Sequence, residues 1–196
     1  MSELRLKDGT GSGNAAKVDA RNRLETHSTV ITTSTQRSFD GAGYNLNTGK
    51  IALSDGSESS VFYMKYNGTT KFHVTRIVIG LGILAGTVSD SVEMFVKSNP
   101  TAGTIVSNAA AVDMNANRDF SSANTLPADV YKGGQGDTIT NGDDAFLFFA
   151  EGNQRSITAV DLILSPGNSM GITVQLNATG GGNIYIAVVG HETEAE

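Results

Sequence analysis

Short apolar runs recur along this chain, separated by turns rich in Gly and Asn, and that spacing constrains the fold more than any other feature. From about Phe39 onward, Gly49–Leu53, Ser59–Tyr66, Lys71–Leu84, Ser91–Ser98, Thr104–Val106, Ala128–Lys132, Asp144–Ala150, Ile157–Leu164, Gly171–Asn177 and Asn183–Val189 read as strands. Alternation carries the assignment: Val92, Met94 and Val96 face one way, Glu93, Phe95 and Lys97 the other. In Ser59–Tyr66 both faces carry apolar groups. Asn67-Gly68 predicts a hairpin between Tyr66 and Lys71. Asn99–Gly103 and Ser165-Pro166-Gly167 read as turns. No apolar stripe of helical period is sustained; Asn108–Arg118, with three consecutive Ala, is at most a loop or a single turn. The expectation is all-β: an antiparallel β-sandwich, with a jelly roll as the expected topology. An immunoglobulin-like sandwich is the alternative, but no Cys or Trp marks it.

Residues 1–36 differ. Leu4, Leu6, Val18, Leu24, Val30 and Ile31 are their main bulky apolar residues, too few for a core. A Gly-rich segment, Asp8–Asn14, precedes Ala16–Val18, and Asp19–Asn22 reads as a turn into an extended run, Arg23–Thr35. The expected organisation is an N-terminal arm (1–36), a sandwich (37–192) and an acidic C-terminal tail (193–196); the acidic stretch His191–Glu196 as a whole reads as solvated. The arm either lies on the sandwich or docks on a partner through Leu4, Leu6, Val18 and Leu24.

Composition excludes several classes. Net charge is −6 and the 14 Lys and Arg are scattered, which disfavours nucleic acid. Zero cysteines exclude a disulfide scaffold, a thiolate zinc site and a cysteine nucleophile. Met1–Gly9 has no apolar signal core, and the longest apolar stretch, Ile77–Ala85, is too short for a bilayer, so a soluble product of a cytoplasm is expected. Gly9–Gly13 lacks the Lys-Ser or Lys-Thr of a phosphate loop. Asp113–Asp119 places oxygen side chains at alternate positions, as calcium loops do, but Arg118 and Asn124 occupy the Gly and Glu positions such loops require. Gly133–Asp137 is a single β-roll-like repeat, which reads as a surface loop. His27, His73 and His191 form no ligand pattern, and Asp143, Asp144 and Glu151 form at best a weak carboxylate pair for glycoside hydrolysis. The aromatics sit in strand patterns and read as core. No catalytic residue, cofactor or metal is expected, and the chain reads as a non-enzyme.

A set of segments goes beyond composition. Leu6–Asp19 followed by Asn22-Arg23-Leu24, then Tyr44–Gly49, Asn99–Ile105, Asp113–Arg118 and Leu164–Ile172, spread in order along nearly the whole chain, resembles a family of small virion structural proteins of tailed bacteriophages. The resemblance implies a non-enzymatic, β-rich particle protein assembled in a host cytoplasm, and it carries no catalytic residues over. The expected role is a capsid decoration (cement) protein on the outside of the head. Its partners would be the major capsid protein or another virion protein and further copies of itself, with a trimer suited to three-fold shell positions. A tail, neck or fibre-base component is one alternative. A receptor- or glycan-binding module using loops such as Gly133–Asp144 is another.

Overall fold

The computed structural model describes residues 17–18, 24–25, 32–54, 56–83, 91–108, 110–111, 117–151, 155–178 and 180–193. The chain divides into two units, 1–32 and 33–196. In the first, β1 (Lys17–Val18) pairs antiparallel with β2 (Leu24–Glu25), with Val18 opposite Leu24. Leu4, Leu6, Gly9–Gly13 and the Asp19–Asn22 turn lie outside the described residues.

The division falls four residues before the expected one, because the extended run does not continue to Thr35. Residues Thr33–Phe39 form a helix, α1. Thr and Ser there favour strand or cap locally, but long-range anchoring decides. Arg37 Nε donates to the Glu192 carbonyl at 2.7 Å, and its Nη2 to that of Thr193 at 3.3 Å.

The second unit continues with β3 (Gly43–Leu53), β4 (Glu58–Tyr66), β5 (Phe72–Ile83), β6 (Ser91–Ser98), α2 (Thr104–Asn108), β7 (Ala110–Ala111), β8 (Ala128–Lys132), β9 (Asp143–Glu151), β10 (Arg155–Leu164), β11 (Ser169–Asn177) and β12 (Gly182–Glu192). A four-stranded sheet runs β10-β5-β12-β3 and a six-stranded sheet β7-β8-β4-β11-β6-β9, every pairing antiparallel. The sheets pack face to face as a β-sandwich, as the strand spacing predicts. Period-two alternation builds the core: Tyr44, Leu46, Val74, Ile77, Ile186 and Val188 from one sheet meet Phe62, Met64, Val92, Met94, Ile172 and Val174 from the other.

Three local expectations are corrected. Tyr66 and Phe72 are not joined by a hairpin: β4 and β5 belong to different sheets, and residues 67–71 turn the corner between them. Gly68 is required there for contact rather than for a hairpin conformation, since a Cβ would lie 2.1 Å from the Tyr66 hydroxyl. Thr104–Val106 is helical, not a strand. Gly103, at φ 125°, breaks the extended path, and Thr104 Oγ1 donates to Asp137 Oδ1 (2.8 Å) while accepting from Thr138 N–H (2.9 Å). That turn drops Ile105 into full burial. Finally, β3 begins at Gly43, well before Gly49, whose φ of 66° falls near a register shift that keeps Thr48 and Ile51 facing inward. The buried Thr48 hydroxyl accepts the Ile186 N–H at 3.1 Å.

The apolar groups of β4 are buried on both faces: Val61 and Tyr63 as well as Phe62 and Met64. Its outer side is covered by α2, which packs on β4 and β8, while the 133–138 segment continues the β8 edge through Gly133 N–H to the Val61 carbonyl and Ser60 N–H to that of Asp137.

Candidate functional site

The expected solvated tail is overturned at its start. His191 and Glu192 are the last residues of β12, and His191 is only 3% exposed. His191 stands directly opposite His73 on β5, their rings edge-on at 5.0 Å, and His73 Nε2 lies 2.5 Å from Asp161 Oδ1. Among the described residues, the Nδ1 of His191 has no hydrogen-bond partner. Burial, reinforced by the charges of His73, Arg37 and Arg118, holds this imidazole below its ordinary 6.5. On the inner face, Tyr66 donates to Glu192 Oε1 at 2.6 Å and Tyr44 to Oε2 at 3.4 Å. Burial first, and the Glu192 carboxylate second, push both phenols up to about 12. With Arg37 gripping the Glu192 and Thr193 carbonyls, the cluster fastens the end of β12.

The sequence-derived candidates are dispersed. Asn117 Nδ2 donates to the carbonyls of Gly41 (2.8 Å) and Asn124 (3.2 Å), and Asp119 accepts the Ser121 hydroxyl at 2.6 Å, which holds its carboxyl below the usual range. These groups build the loop; Asp113–Ala116 and His27 lie outside the described residues. Asp137 accepts from Gly134 N–H at 2.7 Å as well as from Thr104, so its carboxylate is committed to the 133–138 loop. Asp144 pairs with Lys97 at 2.7 Å, while Asp143 and Glu151 sit at opposite ends of β9. At about 3.4 Å per residue they are roughly 27 Å apart, well outside the ~5–9.5 Å of a glycosidase pair. Among the described residues, no group of three or more His, Cys, Asp or Glu could hold a metal.

Two surfaces remain. The first is the flank where β9 ends the six-stranded sheet and β10 the four-stranded one. Phe148 on β9 and Val160 and Leu162 on β10 pack against the core there only partly. Around them Phe146 (38%), Leu147 (62%), Phe149 (58%), Ile157 (53%) and Ile163 (58%) are exposed. Natural edge strands are usually guarded by Lys, Pro or short length; the nine residues of β9 contain neither Lys nor Pro. Reading aromatics as core missed this flank. The signal was present: in Phe146-Leu147-Phe148-Phe149, a period of two must turn alternate residues outward.

The second is a cleft of about 320 Å³ on the outer face of the six-stranded sheet, between the 100–106 segment and the strands β4 and β8. Tyr63 and Tyr131, paired across those strands, lie in it with near-parallel rings, 8° and 6.1 Å apart. The strand pattern places both in the core; Tyr63 is buried there, while Tyr131 is half-buried. No protein-family model matches the chain, and no curated protein matches its sequence.

Proposed function

We propose that this chain is a non-enzymatic structural subunit of a bacteriophage virion, a decoration protein that binds the outside of the head and associates with copies of itself. The observation that carries this reading is the apolar β9–β10 flank. Leu147 and Phe149 stand opposite Phe95 and Glu93 on the outer face of the six-stranded sheet, and with Phe146 at its edge they offer about 300 Å² of apolar surface at roughly 200 Å² per large side chain; Ile157 and Ile163 face outward from the other sheet. A contiguous apolar patch of that size is often functional, and here it lies along an unguarded edge strand. The strand order supports a jelly roll: numbering β3, β4, β5, β6, β9, β10, β11 and β12 as one to eight, the sheets run 1-8-3-6 and 2-7-4-5. The fold excludes no function by itself; the sequence resemblance supplies the particle, and the flank supplies the means of association.

In this reading the flank takes a second copy, and residues 1–32 reach the coat lattice. The test is co-sedimentation of the purified protein with undecorated heads. The full chain should pellet with the heads. Leu147→Lys with Phe149→Lys should lower self-association by at least tenfold without changing the melting temperature. Residues 33–196, which hold the whole sandwich core, should fold yet stay in the supernatant. Undiminished binding by that fragment would refute the role of the arm, and undiminished self-association by the double variant would refute the role of the flank.

A further inference from the structure

We propose that the cleft on the outer face of the six-stranded sheet binds a neutral saccharide unit, a function separate from particle assembly. Its floor is the Tyr63–Tyr131 pair: Tyr63 is 4% exposed, and Tyr131 is half-buried. Tyr63 backs Tyr131 with a near-parallel ring, and the half-buried Tyr131 is the ring with surface to offer the C–H face of a pyranose. Beside it, Lys65 on β4 stands directly opposite Asp129 on β8, and also opposite Ser169 on β11. An ammonium only donates and a carboxylate only accepts, so this pair can bracket neighbouring hydroxyls, each of which does both. Asn67 Nδ2 donates to Asp129 Oδ2 at 3.0 Å and fixes the carboxylate's direction.

The remaining wall is preformed. Ser169 N–H donates to Asn99 Oδ1 at 3.1 Å, Asn99 N–H returns a bond to the Ser169 carbonyl at 2.8 Å, and the Ser169 hydroxyl donates to the Pro100 carbonyl at 2.9 Å. Thr101 Oγ1 accepts from Asn141 at 3.3 Å, which leaves its own proton for a ligand. Gly171, beside Tyr63, lets this segment close down: a Cβ there would meet Ile139 Cδ1 at 2.3 Å and Pro100 Cγ at 3.3 Å. The volume sits at the small end of ligand sites. One cation and one anion at the mouth cancel, which favours an uncharged polyol over a phosphate or sulfate. The polar rim disfavours a lipid.

The test titrates the full chain with glucose, galactose, mannose, N-acetylglucosamine, cellobiose, lactose and diacetylchitobiose by saturation-transfer NMR. Dextran serves as a second arm, to separate a terminal unit from an internal one. At least one neutral sugar should saturate. Lys65→Met and Asp129→Ala, both at exposed positions, should each weaken it at least tenfold, and Tyr131→Ala should abolish it. Tyr185→Ala, on the other sheet, should leave it unchanged, and head binding should survive all four. Saturation by none of these probes would overturn the proposal. So would binding that persists in Lys65→Met and Asp129→Ala, or inorganic phosphate competing at lower concentration than any neutral sugar.

Discussion

Replacing Glu192 with Ala tests the claim that the chain's C-terminal end is a structural fastening rather than a solvated tail. Tyr44 and Tyr66 are 1% and 0% exposed, and both donate to the Glu192 carboxylate. Removing the acceptor orphans Tyr44 and leaves Tyr66 only Thr70 Oγ1, at 3.1 Å. A buried donor left unsatisfied costs about 1–3 kcal/mol. One full and one partial loss therefore come to roughly 3 kcal/mol, a fall of roughly 6–12 °C in melting temperature for a domain of this size. The same contacts set an alkaline limit. Both phenols ionise near 12 in the folded protein, against 10 in an open chain. The folded state thus holds protons that the unfolded state has released between those values. Their contribution is complete below pH 10 and is lost as pH rises through 12. The chain has five Tyr and no Trp, so tyrosinate absorbance reads this directly. In Glu192→Ala the two phenols should ionise earlier, though burial still holds them above 10. A melting temperature within 1 °C of the parent, with an unchanged phenol titration, would refute the reasoning.

The other predictions are narrower. His191 binds its proton more weakly folded than unfolded, so its contribution is complete above pH 6.5 and is lost as pH falls below that value. Melting temperature should therefore drop between pH 7 and 5, and His191→Phe should flatten that limb; an identical acid slope in the variant would contradict it. Gly103→Ala should cost about 2–4 kcal/mol by thermal melting, because φ is 125° and the new Cβ would sit 2.2 Å from the Thr138 carbonyl oxygen. Gly56→Ala, with φ of 80° but open space around it, should cost only about 1 kcal/mol. Equal costs would show that φ alone matters at both positions.

Much of the sandwich was legible because alternation is a local signal. Ser91–Ser98 was bounded to the residue, and Ala128–Lys132 likewise, since each has turn chemistry or a polar break at both ends. What escaped depends on partners far along the chain. Asn67-Gly68 has hairpin chemistry, yet Tyr66 and Phe72 diverge into different sheets because β4 already has β8 and β11 as neighbours. Thr33–Thr35 looked extended until Arg37 found the end of β12, 155 residues away. Glu192 looked like tail because its partners, Tyr44 and Tyr66, are 148 and 126 residues earlier. For the surfaces, the sequence placed aromatics on strands but could not say which faces the loops leave open. Alternation in Phe146–Phe149 does turn Leu147 and Phe149 away from Phe148, but only the assembled sheets show that no loop covers that side and that Tyr131 lines a cleft.

The central claim is that this sandwich is a shell component. Cryo-electron microscopy of heads incubated with the full chain tests it most directly. The account predicts density for the sandwich at every equivalent position across the outer shell, with neighbouring copies in contact through Leu147 and Phe149. Density at a single vertex or along the tail, or bare heads at saturating protein, would contradict it.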